Sequence, residues 1–385
     1  MLTAGVVAEY NPFHKGHKYQ LEMTRAAGAT HVAAVMSGSA VQRGDIAVFS
    51  KYERASVAVR NGVDLVIELP CPYSCSNGEV FARSAVELLA GLGAVDMLSF
   101  GCECGDVSLL ERGAEISEEL KNSQSVRDSL SEGLSYPMAV AKAAGEQSAE
   151  LSELFSKPNN TLAVEYIKSA KKLAPNMKFL AVSRNSVGHD CDTAQGEFAS
   201  ASYIRGLICA EEDYGNFVPE SYDGRAYSLG NLDRILTYKI MTAEYDELID
   251  LPDMNDKLVN RFISLREAGV TSAAEFAENF KSRDITLARI RRMLIHLAIG
   301  VRREDIFSVP YGRILAFNER GREMLANAEN RTLLYDTSLK KLERSSPQAQ
   351  RISQLERNAV RLQELATELK PEFSNEYRRK ISISR

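Results

Sequence analysis

Apolar residues fall in short, nearly continuous runs along the first half of the chain. The runs are 4–9 (AGVVAE), 31–36 (HVAAVM), 65–69 (LVIEL), 97–101 (MLSFG) and 179–183 (FLAVS). Such runs are the mark of strands buried on both faces. Between them, 15–27, 51–61 and 79–91 carry apolar residues at helical spacing, and 106–174 reads as mostly helical with a break at SKPNNT (156–161). Strands joined by helical crossovers predict a parallel sheet, and right-handed crossovers place helices on both of its faces. The expected class is α/β, a Rossmann-like doubly wound parallel sheet.

A polar loop at 184–200 leads into a helix starting near Ala201, and from about 211 strand signals fade. Segments 233–247, 256–267, 273–280 and 285–300 have helical spacing. From 339 on, Leu342, Ile352, Leu355, Val360, Leu362 and Leu365 suit an amphipathic helix packed on something larger. The C-terminal region is therefore expected to be all helical. The EEDYGNF and PESYDGR loops put a soft boundary near 211–225, dividing the chain into 1–215 and 216–385. No internal repeat and no low-complexity block interrupts this pattern.

At 385 residues the chain is long enough for two domains, and 44% hydrophobic with 26% charged residues is ordinary globular composition. A formal net charge of -5 gives no global cationic field, so a nucleic-acid contact must be sought segment by segment. The opening MLTAGVVAEY has no basic stretch before an apolar one and reads as a buried strand, not a signal peptide. No apolar run approaches the roughly 20 residues of a membrane span. These features predict a cytoplasmic protein. The six cysteines (71, 75, 102, 104, 191, 209) contain no Cys-x-x-Cys pair and read as reduced thiols rather than metal ligands.

The segment AEYNPFHKGHKYQ (8–20) carries the strongest chemistry. It places a strand end, a proline turn, and His14-x-Gly16-His17 at the opening of a helix. Residues three apart share one face of the first turn. Unpaired N–H groups and the positive dipole end make that turn an anion site. Gly16 lets a ligand approach the backbone, and two imidazoles can donate to phosphate oxygens as charge builds at phosphorus. This is similar to the His-x-Gly-His signature of the nucleotidyltransferase and class I aminoacyl-tRNA synthetase superfamily. No G-x-x-x-x-G-K-[ST] or G-x-G-x-x-G run competes with it.

Ser200-Ala-Ser202-Tyr-Ile-Arg205 resembles the Ser-Ser-x-x-Ile-Arg element that contacts β- and γ-phosphates in adenylyltransferases. Hydroxyls, helix N–H groups and a guanidinium fork suit phosphate. The plainer alternative is a Ser helix cap followed by a surface arginine.

GVVAEYNPFHKGH, VMSGSAVQRGDIAVFSKYERA, VDLVIELP, SFGCECGD, SKPNNTLAVEYI, RDITLARIRRMLIHLAIG and VPYGRILAFNERGREML together resemble the bacterial tRNA-Met cytidine acetate ligase family over essentially the whole chain. The resemblance implies a reaction. ATP and acetate give acetyl-adenylate and pyrophosphate, and the acetyl group passes to the wobble cytidine of elongator tRNA-Met as N4-acetylcytidine. It also implies ATP contacts along Val7, Ala8, Glu9, Tyr10, Asn11, Pro12, Phe13, His14, Lys15, Gly16, His17, Lys18, Tyr19 and Gln20, and at Gly101, Asn159 and Arg184. Gly101 and Arg184 fall at strand ends, where ligands of open α/β sheets lie. A turn glycine, a helix cap and a surface charge are the alternative readings of Gly101, Asn159 and Arg184. The loop departs from the family pattern near Ala40 and Val41, where a bulkier residue is expected, and at Ile46, where a proline is.

The loop 37–54, with Gln42, Arg43, Lys51 and Arg54, is expected to line the acetate or tRNA side. Lys281, Arg283, Arg289, Arg291, Arg292, Arg302 and Arg303 form a local basic patch, a candidate tRNA contact through phosphates. His296, among Met293, Leu294 and Leu297, reads as core. No acidic cluster offers a metal site, so Mg²⁺ is expected to arrive with the ATP phosphates. Two alternatives share the sequence features: an adenylyltransferase acting on a small phosphorylated metabolite, and a non-catalytic RNA-binding protein.

Overall fold

A computed structural model describes residues 1–184, 196–379 and 381–383. Cys191 and most of the polar loop at 184–200 lie outside the described residues, as do three residues of the basic tail. Five apolar runs become parallel strands: β1 (Thr3–Ala8), β2 (His31–Ser37), β3 (Leu65–Leu69), β4 (Met97–Cys102) and β5 (Lys178–Ser183). Three later strands join the same sheet: β6 (Gly312–Phe317), β7 (Tyr335–Asp336) and β8 (Ser382–Ile383). The sheet order is β8-β6-β3-β2-β1-β4-β5, with β7 beside β6. β2 and β3 extend to one side of β1, and β4 and β5 to the other. The winding therefore reverses across β1 and β4, which opens a crevice above their carboxyl ends.

Local sequence sets the helices that frame this crevice. His14 caps α1 (Lys15–Ala26), and Ser50 caps α2 (Lys51–Arg60) by accepting from the Glu53 N–H. Asn77 caps α3 (Gly78–Gly91). Pro158 sits in the first turn of α4 (Pro158–Leu173), where its missing N–H costs nothing. The break expected at 156–161 narrows to Lys157, so Asn159 and Thr161 are helical. Ser200 caps α5 (Ala201–Cys209). One core, with Phe81, Leu89, Leu98, Val164 and Ile167, lies on one face of the sheet; a second, with Phe13, Leu21, Val57 and Ile204, lies on the other.

The α/β class and parallel core follow the sequence reading, and the C-terminal part is largely helical. It is not all helical, because GRILAF forms β6, buried and antiparallel to β3 with Leu65 opposite Phe317 and Glu68 opposite Arg313. The segment expected as one helix at 233–247 is two, Asp233–Thr242 and Tyr245–Ile249. The expected helix at 285–300 is α6 (Leu287–Ile299), ended by Gly300 at φ +83. The amphipathic tail is α7 (Pro347–Leu365), with Ile352, Leu355, Val360 and Leu362 buried. Among the described residues, no helix is long and apolar enough to cross a membrane.

A buried ionic cluster ties the C-terminal elements to the sheet. Lys51 Nζ lies 2.5 Å from Glu68, 2.9 Å from Glu356 and 3.0 Å from Glu376. Arg313 reaches Glu376 at 2.7 Å and Glu68 at 3.6 Å. Burial opposes the Lys51 charge, but Glu356, Glu376 and Glu68 outweigh it and hold the ammonium well above its ordinary range. Burial pushes Glu356 up to about 7 against the pull of Lys51.

Candidate active site

The carboxyl ends of β1, β4 and β5 floor a cavity of about 520 Å³. From the 8–20 segment and its neighbour, Val7, Ala8, Glu9, Tyr10, Asn11, His14, Gly16, His17, Tyr19 and Gln20 line it. So do Gly101, Asn159, Arg184, Ser200, Ser202 and Arg205, which arrive from four other elements. Pro12, Phe13, Lys15 and Lys18 do not. Pro12 and Phe13 are buried under the turn, where the Phe13 N–H donates to the Tyr222 hydroxyl at 2.8 Å. Lys15 pairs with Glu197 at 3.2 Å, and Lys18 is exposed.

The turn between β1 and α1 is conformationally costly. Tyr10 has φ +46, in the left-handed region that a bulky side chain avoids. Its ring is buried and packs against Phe13 and His17, with centroids 4.8 and 4.9 Å apart. That packing compensates the backbone and aims the two histidines.

The histidines lock each other. His14 Nδ1 accepts from the Gly16 N–H at 3.1 Å, and His17 Nδ1 accepts from the His14 N–H at 3.2 Å. Their rings stack at 3.8 Å. Burial, helped by Arg184 and Arg205, holds His14 at about 3; burial, then His14 and Arg184, holds His17 well below its ordinary value. Both are thus neutral near pH 7. With each Nδ1 occupied as an acceptor, the proton of each ring resides on Nε2. The site therefore holds two fixed N–H donors with no charge of their own. A Cβ on Gly16 would meet His14 Cε1 at 2.9 Å and Nδ1 at 3.0 Å. The protein itself, before any ligand, requires the glycine.

Opposite this pair, Ser200 Oγ accepts from the Tyr203 N–H at 3.1 Å and lies 2.9 Å from Ser202 Oγ. Arg205 donates to the Asn11 carbonyl at 2.9 Å and approaches Asp45 at 3.8 Å. Asn11 Oδ1 accepts from the Val48 N–H at 2.7 Å, while its Nδ2 has no partner among the described residues. Glu9 accepts from the Gln42 N–H at 2.9 Å. Burial raises its carboxyl above the ordinary range, and Arg205, Arg43 and that N–H pull it back.

Arg184 donates to Asn159 Oδ1 at 3.3 Å, and Asn159 Nδ2 donates to Glu103 at 2.7 Å. The Glu103 carboxylate also accepts from the backbone N–H of Asn159 and Asn160 at the start of α4. Sequence reading missed Glu103, although an acid facing a helix N-terminus is a recurrent arrangement. A Cβ on Gly101 would make ordinary contact, 3.4 Å from Arg184 Cδ, so the surrounding protein does not demand glycine there. Sequence reading also missed the apolar wall of the cavity, Phe81, Phe100, Phe155, Leu162 and Tyr166.

Two expectations for the loop 37–54 are corrected. Gln42 and Arg43 line the cavity, but Lys51 and Arg54 are helical and buried. Lys51 belongs to the ionic cluster. Arg54 donates to the carbonyls of Glu9, Ser37, Gly38 and Phe49, stapling the loop to the end of β1. The departures at Ala40, Val41 and Ile46 are core positions of a short antiparallel ladder, Ala40–Val41 with Asp45–Ile46.

The basic patch is partly structural. Arg289 donates to the Asp253 carbonyl at 2.6 Å, Arg292 to the Gln42 carbonyl at 3.0 Å, and Arg303 to the Ile249 and Met254 carbonyls. Gly44, at φ +73, lies against α6, where a Cβ would sit 2.6 Å from the Arg292 nitrogen. The loop and the basic helix are therefore one unit. Lys281, Arg283, Arg291 and Arg302 are exposed, and His296 is buried. Burial raises the Cys71, Cys75 and Cys102 thiols, the last two to about 12, which disfavours thiolate chemistry. Among the described residues, no three His, Cys, Asp or Glu side chains converge on a metal position.

The HIGH Nucleotidyl Transferase family model matches residues 1–379. A protein of Caldicellulosiruptor saccharolyticus named tRNA(Met) cytidine acetate ligase is 35% identical over 382 residues, covering 95% of this chain and 94% of its own. The crystal structure of apo Thermotoga maritima TmcAL superimposes with a TM-score of 0.89 at 27% identity, over 100% of this chain and 99% of that one. The same enzyme bound with alpha-thio ATP gives 0.84 at 28% identity, over 99% of this chain and 97% of that one.

Proposed function

The chain belongs to the tRNA(Met) cytidine acetate ligase family of HIGH nucleotidyl transferases, and we propose from that premise how its residues divide the reaction. It is an ATP-dependent ligase that activates acetate as acetyl-adenylate and transfers the acetyl group to the wobble cytidine of elongator tRNA-Met. In the first step an acetate oxygen attacks the α-phosphorus, and the bond to the bridging oxygen breaks with release of pyrophosphate. In the second, the cytidine N4 amine attacks the acetyl carbonyl, AMP leaves, and the amine loses one proton.

The observation that carries this reading is the pair of neutral, Nδ1-locked imidazoles at the crevice. Their Nε2–H groups donate to phosphate oxygens as negative charge grows at the α-phosphorus, and being already oriented they need no reorganisation. The α5 N-terminus, Ser200, Ser202 and the Arg205 fork hold the β- and γ-phosphates. The unpaired Asn11 amide is a further donor at the same turn. Gly101, Asn159 and Arg184 take the nucleoside side. Mg²⁺ enters as the counter-ion of ATP. Glu9 is the carboxylate of the cavity nearest to these groups in sequence, and Arg205 and Arg43 already share its charge.

Residues 1–215 supply the nucleotide site, and 216–385 supply tRNA contacts. The exposed Arg291 and Lys281 are better placed for phosphate than Arg289 and Arg292, which are engaged with backbone carbonyls. A tRNA substrate supports a cytoplasmic location. The test is ATP–pyrophosphate exchange. Exchange that requires acetate supports an acetyl-adenylate; exchange that ignores acetate, or requires a phosphorylated metabolite instead, rejects it.

A further inference from the structure

Beyond its polar end the cavity opens into a lobe between the starts of α3 and α4. Phe81, Phe100, Phe155, Leu162 and Tyr166 form its wall. The four aromatic residues are each 2–5% exposed, and the Phe100 and Tyr166 rings lie 6.2 Å apart. Tyr166 is seven residues past Asn159 on the same helix, about 10 Å further along its axis at 1.5 Å per residue. Its ring lines the cavity, as Glu9 does.

A hydroxyl open to the cavity on an aromatic wall suits a ligand that is flat, apolar on its faces and hydrogen-bonding at its edge. The acetyl methyl is too small to cover such a wall. Gly101, Asn159 and Arg184 take the nucleoside of ATP at the near end of the wall, and Tyr166 lies about 10 Å beyond Asn159 along the helix. A nucleobase out of its stack has the required character, since unstacked bases are held on aromatic side chains and read at their pairing edge.

We propose that this lobe receives the acceptor cytosine, flipped out of the anticodon loop, with the aromatic wall holding its faces and the Tyr166 hydroxyl donating to O2 or N3. Transfer then requires N4 to face the acetyl carbonyl of the adenylate. This rests on the ligase reading above.

Two variants of the full chain test it. Gly78 opens α3 in the lobe, its backbone is not in the left-handed region, and a Cβ would meet only Leu162 Cδ1, at 3.9 Å. Gly78→Leu therefore extends a side chain into the lobe without a backbone clash. Its tRNA acetylation should fall by roughly 5- to 150-fold, the range for losing one stacked base. Tyr166→Phe should lower kcat/KM for tRNA by roughly 2- to 12-fold, as for one neutral hydrogen bond. Acetate-dependent exchange, and the KM values for ATP and acetate, should stay near wild type in both. Wild-type acetylation by Gly78→Leu would overturn the proposal. So would a parallel fall in exchange, which would give the lobe to ATP or acetate. A wild-type chain that exchanges with acetate yet acetylates no tRNA would sink the ligase reading itself, and this inference with it.

Discussion

Replacing Gly16 by alanine separates catalysis from stability. The added Cβ would lie 2.9 Å from His14 Cε1 and 3.0 Å from Nδ1, where ordinary contact begins near 3.4 Å. The His14 ring must retreat by at least 0.5 Å, the difference between 3.4 and 2.9 Å. It cannot do so freely, because it is stacked on His17 at 3.8 Å and its Nδ1 accepts the residue-16 N–H. Losing that cap costs about 0.5–2 kcal/mol. Alanine in place of glycine inside a helix returns about 1 kcal/mol. The two nearly cancel, so the melting temperature should move by only a few degrees. The reacting geometry has no such compensation, and a displacement approaching 1 Å costs about 10²-fold in rate. Acetate-dependent ATP–pyrophosphate exchange, beside a thermal melt, measures both. A Gly16→Ala chain that exchanges within about threefold of wild type would refute the idea that a pinned His14 ring is needed, since one misplaced donor should cost far more.

Further outcomes follow from the same geometry. His14→Ala and His17→Ala should each lower exchange by about two to three orders of magnitude with the fold retained, the effect of losing one oriented donor. Arg205→Lys keeps the charge but loses the fork that reaches Asn11 and Asp45, so KM for ATP should rise, and Arg205→Ala should be worse. Lys51→Met would leave Glu68, Glu356 and Glu376 buried without their shared cation, and urea unfolding should show a loss of about 3–5 kcal/mol. His14 binds its proton at about 3 in the folded chain against 6.5 ordinarily, so between those values the unfolded chain takes up the proton first. Its contribution to stability is complete above pH 6.5 and is lost as pH falls toward 3; stability should decline less over that window in His14→Gln than in wild type.

The parts of the fold written in local pattern were legible. Five apolar runs separated by helices define the parallel sheet, and His14-x-Gly16-His17 at a strand-to-helix turn marks the phosphate end. What depended on distant pairing was not. GRILAF is six residues among helices, and nothing local says it will lie against Leu65–Leu69. Lys51 and Arg54 read as loop cations because decisive partners, Glu356 and Glu376 for Lys51 and the Glu9 carbonyl for Arg54, are remote in sequence. The same holds for Arg289 and Arg292, whose acceptors are carbonyls 36 and 250 residues away. Glycine was legible as a signal but not in its reason. Gly16 makes room for a histidine ring, and Gly44 for the helix that carries Arg292.

In the proposed reaction one crevice activates acetate and delivers it to a single base. Incubating the full chain with labelled acetate, ATP and total tRNA, then digesting the tRNA to nucleosides, tests this most directly. Label is expected in N4-acetylcytidine alone, confined to the wobble position of elongator tRNA-Met, with AMP and pyrophosphate as products and no label when ATP is omitted. Label in another nucleoside, label without ATP, or ATP cleavage that yields ADP would contradict it.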